Sequence, residues 1–172
     1  MKKQHAFAVS TLFGAGYFPV APGTAGSLVS LPLICLICYY FGLTGLILAI
    51  IISFLTGLSA VKEVLKYTKH DPSFIVIDEF IGQAITFIPV AYILKNDLSN
   101  WWIYPVGFMF FRMFDVWKPF PIRYIDKKMT SAFGVILDDM VAGLYASSLL
   151  HIIVYIYIVR FKELNELMKL GQ

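Results

Sequence analysis

The sequence predicts an all-α, multi-pass transmembrane bundle of about five spans, with four spans plus a re-entrant N-terminal helix as the alternative. Three observations carry that prediction. First, 59% of the 172 residues are hydrophobic and only 15% charged, with mean hydropathy +0.75, whereas soluble domains are about half apolar and a quarter charged. Second, the apolar residues fall in runs long enough to cross a bilayer, as in "VILDDMVAGLYASSLLHIIVYIYIV" at 135–159. Third, the scarce acids do not scatter; several sit at the ends of those runs.

The elements follow in order. The N-terminal "MKKQHAFAVSTLFGAGYF" has the outline of a signal peptide, but Ser10, Thr11, Gly14 and Gly16 break its apolar stretch and no cleavage site precedes the next helix. It reads as a retained interfacial or re-entrant helix. Residues 27–60 are too long for one span and are interrupted by "GLTG", which predicts a hairpin with arms at about 27–41 and 44–60. A polar link holding Lys62, Glu63, Lys66, Lys69, His70, Asp71 and Pro72 leads to a third span at about 78–94, then "KNDLSN" turns the chain. The fourth span, about 101–117, is stopped by "KPFP" because proline removes a donor and disfavours helix in the residue before it. The run at 135–159 is the fifth. No repeat divides the chain, so 1–172 is read as one domain.

Threaded this way, Lys2, Lys3, Lys62, Lys66, Lys69, Lys118, Arg123, Lys127 and Lys128 share one side, and Lys95, Arg160, Lys162 and Lys169 the other. The positive-inside rule places the first set in the cytoplasm. A net charge of +3 is too small to suggest nucleic acid and suits a basic face against anionic membrane lipids. Cys35 and Cys38 lie inside an apolar run without a second pair, and read as small packing residues.

The same threading gathers Asp78, Glu79, Asp115, Asp138 and Asp139 at the cytoplasmic end. Carboxylates crowded where water is scarce repel one another until a cation neutralises them. Arg112 and Lys118 flank Asp115 at three-residue spacing and are one source. A metal is the other: an oxygen-only ligand set favours Mg²⁺, Mn²⁺ or Ca²⁺. Structural salt bridges compete with the metal for each acid taken singly. Neighbours on a helix point about 100° apart, so one of Asp138 and Asp139 is free to pair with a basic residue instead. Glu79, Gln83 and Thr86 share a face and continue a polar stripe inward.

"PVAPGTAGSL" at 19–28 ends at the same level. Gly23 permits close approach, Thr24 or Ser27 could cap the first span, and bare amides at a helix N-terminus attract phosphate; an ordinary helix-start turn has the same residues. In "KPFPIRYIDKK", Lys118 and Arg123 are phosphate donors, while Trp117, Phe120 and Tyr124 suit the headgroup layer. His151 is twelve residues beyond Asp139, about 18 Å along a helix, and too far to join them.

"APGTAGSL", "IDEFIG", "FRMFDVWKPFPIRYID" and "GVILDDMVAG" together resemble, in order and spacing, the motifs of the bacterial phosphatidylglycerophosphatase A family, over about Gly14 to Gly143. The resemblance implies an Mg²⁺-requiring enzyme of the bacterial inner membrane that hydrolyses phosphatidylglycerophosphate to phosphatidylglycerol and phosphate, the step before that lipid and hence cardiolipin. Its motif positions fall here on Pro22, Gly23, Thr24, Asp78, Glu79, Arg112, Asp115, Lys118, Pro119, Arg123, Asp138 and Asp139. On this basis Asp78, Glu79, Asp115, Asp138 and Asp139 are the expected metal ligands. Glu79, with Asp78 and Asp139, is the expected catalytic group, Glu79 as general base. Gly23, Thr24, Ser27, Arg112, Lys118 and Arg123 are expected to hold substrate phosphate. A homo-oligomer is compatible with the sequence.

Other lipid-phosphate chemistries lack their residues. There is no Cys-x5-Arg loop, no "PSGH", no Asp-x-Asp pair, and "DDMVA" has Ala142 where a third acid would complete DDxxD. An ion-coupled transporter or Mg²⁺ channel is the rival from another class, since intramembrane acids also line ion paths. It requires polar residues through to the other membrane face, where the predicted spans are apolar.

Overall fold

The structure, a computed structural model, describes residues 1–68, 72–94 and 100–170, with the side chains of 161–170 outside that description. Lys69, His70, Asp71, the turn residues 95–99 and the Lys162 and Lys169 side chains therefore lie outside the described residues. Among those described, all regular structure is helical: α1 (Lys3–Ser10), a 3₁₀ turn (Ala15–Tyr17), α2 (Pro22–Val64), α3 (Ile77–Thr86), α4 (Ile88–Ile93), α5 (Ile103–Trp117), α6 (Ile122–Lys128) and α7 (Ala132–Leu170).

α2 is the expected hairpin. Its helical dihedrals break once, at Gly42 (φ 58°, ψ −152°), a conformation open to glycine alone. Gly26 in the first arm packs against Val76, and Gly57 in the second against Ile77. A straight helix would hold those two glycines about 46 Å apart; since Val76 and Ile77 are neighbours, the arms must run antiparallel. The arms are longer than the sequence suggested, because the first begins at Pro22, after Ala21 in the left-handed region (φ 50°).

The third predicted span is corrected. It is two helices, α3 and α4, broken at Phe87 (φ −92°, ψ 5°). Pro89 has no N–H for the Ile85 carbonyl, so α3 cannot continue. All ten residues of α3 are buried, the polar face of Glu79, Gln83 and Thr86 included, so that face turns to protein rather than outward. α5 ends as expected: Lys118 turns left-handed (φ 47°, ψ 61°) immediately before Pro119. After the turn, "KPFPIRYIDKK" forms a short helix, α6, which tucks Ile122 and Ile125 inward.

α1 is eight residues, about 12 Å long. The chain then doubles back through Leu12, Phe13 and Gly14 at positive φ, and the Val76 N–H donates to the Ser10 carbonyl at 2.8 Å. This ties the N-terminal segment to the start of α3.

Two helices, Pro22–Val64 and the Ala132–Arg160 part of α7, are long and apolar enough to cross a membrane, and only 17% and 28% of their most apolar windows are buried. Exposed Leu28, Leu33, Leu36, Leu48, Ile51, Ile52, Leu55, Ile152 and Ile156 form more apolar surface than water tolerates on a soluble monomer. The chain is associated with a membrane. α7 buries one stripe: Ile136, Asp139, Ala142, Ala146, Leu150 and Val154. The two cysteines are free and pack in or beside the core, as their apolar setting predicted.

Candidate metal and phosphate site

Two glycines set where the acids meet. A side chain at Gly143 of α7 would collide with the Gly82 backbone of α3, so the helices touch there without intervening atoms. Asp78 lies four residues before Gly82, and Asp139 four before Gly143. Both helices start at the same end, so one turn back from the contact the two aspartates face each other. One carboxylate oxygen each from Asp78, Glu79 and Asp139 lies within 4.8 Å of the others, and all three residues are buried. Neither glycine was singled out in the sequence, although both stand in the quoted motifs.

All five predicted acids line one polar cavity of about 230 Å³, together with Pro22, Gly23, Pro72, Ser73, Ile75 and Lys118. They divide by partner. Asp138 accepts from Lys118 Nζ at 2.8 Å, leaving Asp139 to the cluster. Asp115 is paired with Arg112 Nη1. Lys118 also donates to Asp126 at 2.6 Å, a partner the sequence did not suggest. Burial disfavours the Lys118 charge, but its bonds to Asp126 and Asp138 outweigh that and push its pKa above the usual lysine value.

The start of α2 closes the cavity from the side. A Cβ on Gly23 would strike the Glu79 carboxylate and lie 3.5 Å from Arg112 Nη1, so only glycine leaves that carboxylate its space. Arg112 Nη2 donates to Thr24 Oγ1 at 3.2 Å, and Nη1 reaches Ser27 Oγ at 3.5 Å. Neither hydroxyl caps α2, contrary to expectation: Ser27 donates to the Gly23 carbonyl at 3.0 Å, and the cap position is Ala21. Of the six residues expected to hold phosphate, Gly23 and Lys118 line this cavity; Arg112, Thr24 and Ser27 stand behind its wall, and Arg123 lines a neighbouring cavity.

Glu79 Oε2 and both polar atoms of the Gln83 amide are buried without a hydrogen-bond partner. Orphaned buried acceptors cost free energy and call for a missing donor or cation. The donor set fits a hard divalent ion: three carboxylates, no sulfur or imidazole. Octahedral Mg²⁺, with oxygens at about 2.1 Å, spaces its ligands about 3 to 4.2 Å apart, so oxygens within 4.8 Å need only small side-chain shifts. Inward from Thr86 the polarity of this stripe stops. Thr86 bonds the Gly82 carbonyl at 3.0 Å, and Phe87 and Val90 follow in the core.

The fold and site thus define a membrane-associated helical protein with a buried carboxylate centre ringed by cations, the makings of a phosphate-handling enzyme. Comparison with known proteins makes the class particular. The sequence pattern of the phosphatidylglycerophosphatase A family matches residues 8–154. The Escherichia coli K12 protein named phosphatidylglycerophosphatase A is 35% identical over 143 residues, 82% of this chain and 78% of that one. Its Haemophilus influenzae namesake is 38% identical over 135 residues, 78% and 79% of the two chains. A Bacteroides thetaiotaomicron protein provisionally named a phosphatidylinositol-3-phosphatase is 32% identical over 143 residues, 80% and 86%. No solved structure matches. The chain belongs to the phosphatidylglycerophosphatase A family, and with it to the phosphoric monoester hydrolases of phospholipid synthesis.

Proposed function

We propose that this chain removes the terminal phosphate of phosphatidylglycerophosphate in an Mg²⁺-dependent reaction, at the cytoplasmic face of a bacterial plasma membrane. One observation carries the reading: five acids from three distant segments line a single cavity beside Lys118 and the start of α2. The names of the E. coli and H. influenzae relatives support the substrate.

Asp78, Glu79 and Asp139 would hold the ion, with Asp115 and Asp138 completing the negative wall. When bound, Mg²⁺ supplies Lewis acidity toward the phosphoryl group. Arg112 and Lys118, steadied by Asp115 and Asp138, offer donors to phosphate oxygens as charge develops. Glu79 has one carboxylate oxygen without a partner, which supports it as the group that would accept a proton from the attacking water. Pro22 and Gly23 shape the side wall, and Thr24 and Ser27 orient Arg112 behind it. Arg123 serves the lipid beyond the cavity.

We further read the bundle as crossing the membrane five times. The first α2 arm leaves the site end and the second returns; α3–α4 leaves, α5 returns and α7 leaves again. Lys66, Lys118, Arg123, Lys127 and Lys128 gather at that end, and Lys3 Nζ lies 4.5 Å from the Tyr67 ring centroid, which supports a cytoplasmic site. The rival transporter is disfavoured by the apolar end of the stripe at Phe87 and Val90.

Phosphate release by detergent-solubilised protein tests both readings. Release from phosphatidylglycerophosphate, faster than from phosphatidic acid, lost in EDTA and restored by Mg²⁺, is expected. Metal-independent release, or ion flux into sealed vesicles without release, would overturn the assignment.

A further inference from the structure

A second cavity, of about 490 Å³, adjoins the acidic one and shares Lys118 with it as a wall. Its character is opposite. Lys118, Arg123, Lys127 and Lys128 line it, and no carboxylate does. Pro119 and three aromatic residues complete it: Trp117, Phe120 and Tyr124, exposed at 71%, 81% and 59%. Large rings are costly in water and favoured at the headgroup layer, where one edge is wet and the other apolar.

The fold holds this cavity in shape. Lys118 in its left-handed conformation turns the chain out of α5, and α6 anchors itself by Ile122 and Ile125 while presenting Arg123, Tyr124, Lys127 and Lys128 outward. Tyr145 of α7 donates to the Phe120 carbonyl at 3.1 Å, fixing the loop between the two helices. Asp126, the acid of α6, is occupied by Lys118. Among the described residues no acid pairs with the remaining cations of α6, which leaves them for an external anion.

We propose that this basic, aromatic cavity seats the phosphodiester of an anionic glycerophospholipid while the terminal monoester of the same molecule reaches the acidic cavity past Lys118. The inference rests on the hydrolase reading above. A carboxylate–metal centre recognises a phosphomonoester whatever it is attached to. The lipid substrate named above carries two phosphates separated by one glycerol, and adjoining cavities of opposite charge recognise that pair. No bond to the diester changes; the cavity sets affinity and selectivity for lipids bearing both groups.

Two probes separate the cavities. Short-chain phosphatidylglycerol has the diester and no monoester; inorganic phosphate has no diester. Both are titrated in neutral detergent with Mg²⁺ against the unaltered protein and Lys127→Gln/Lys128→Gln. Loss of two charge-assisted contacts at a partly exposed site is expected to weaken phosphatidylglycerol binding about tenfold. The KM for phosphatidylglycerophosphate should rise in parallel, with phosphate affinity unchanged. Lys127→Arg/Lys128→Arg should restore both, which excludes simple misfolding. Unchanged phosphatidylglycerol binding, or equal weakening of both probes, would overturn the proposal. If the protein binds phosphatidylglycerol through these lysines yet releases no phosphate from the substrate, the hydrolase reading fails and the diester seat stands.

Discussion

α3 and the first arm of α2 are both rich in apolar residues, yet their surroundings differ. Every residue of α3 is inside protein, whereas Leu28, Leu33, Leu36 and Phe41 of the α2 arm face outward. The polar residues differ accordingly. α3 carries Asp78, Glu79, Gln83 and Thr86. The outer face of the arm carries nothing charged, since lipid offers no partner and insertion of a charge costs about 2.5–3.5 kcal/mol. A carboxylate can be kept in so apolar a chain only where protein surrounds it, and the start of α3, facing Asp139 of α7, is such a place.

The comparison breaks first at the acids. Asp78→Asn and Asp139→Asn, each removing one charge from the three-carboxylate cluster, are expected to lower phosphate release by about a thousandfold and to raise the Mg²⁺ needed for residual activity. Folding should survive, since asparagine keeps the shape. Near-normal turnover in both would remove the cluster from the chemistry. Next comes the contact that positions it. Gly143→Ala puts a methyl into the Gly82 backbone, with its Cα 3.0 Å away, and overpacking of this kind costs about 1–3 kcal/mol. A lower thermal midpoint in detergent should accompany a fall in turnover of at least about tenfold, because a 1 Å misplacement of reacting groups is enough for about a hundredfold.

Much of this was legible in the sequence, and what was not has physical reasons. The convergence of five acids followed from threading alone, because successive antiparallel helices alternate ends. Which of Asp138 and Asp139 joins the cluster did not: both are buried, and only the Lys118 Nζ position at 2.8 Å assigns Asp138 to a pair. The hairpin announced itself through "GLTG", with Gly42 as the pivot. The break at Phe87 was hidden because "FIPVAY" is apolar throughout, so hydropathy continues where the hydrogen-bond ladder stops. α6 was masked by the prolines before it. Asp126 and the basic cavity needed the turn at Lys118, whose positive φ no propensity of lysine predicts. Gly82 and Gly143 show the general limit: a close contact is a property of two helices, and either glycine alone reads as a mild cost in a helix.

Gln83 sharpens the comparison in a different way, since activity and stability should move apart. Its amide is buried with no partner for either polar atom, one turn inward from Glu79. For a purely structural residue, Gln83→Leu should be neutral or stabilising, because an unpaired amide is replaced by an apolar group of similar size. For a residue that orients Glu79 or a solvent molecule beside it, turnover should fall about 10–100-fold, as for second-layer partners of metal ligands. We expect the thermal midpoint to hold or rise while turnover falls. A fall in both, with turnover tracking the folded fraction, would assign Gln83 to packing.

The smallest effects test the solvents themselves. Ile81→Val in α3 removes one methyl from a site with no exposure, and such truncations cost about 0.5–1.5 kcal/mol through lost contacts and a residual void. Leu36→Val on the outward face of α2, half exposed at 52%, trades one apolar group for another against fluid lipid chains, which close around the change. Its shift in stability should stay within about 0.5 kcal/mol. Paired thermal midpoints, measured in the same detergent, therefore rank Ile81→Val clearly below Leu36→Val. Equal losses at the two positions would mean that the outward face of α2 is packed against protein, as in a second copy of the chain, and its apolar surface would then owe its composition to an interface rather than to lipid.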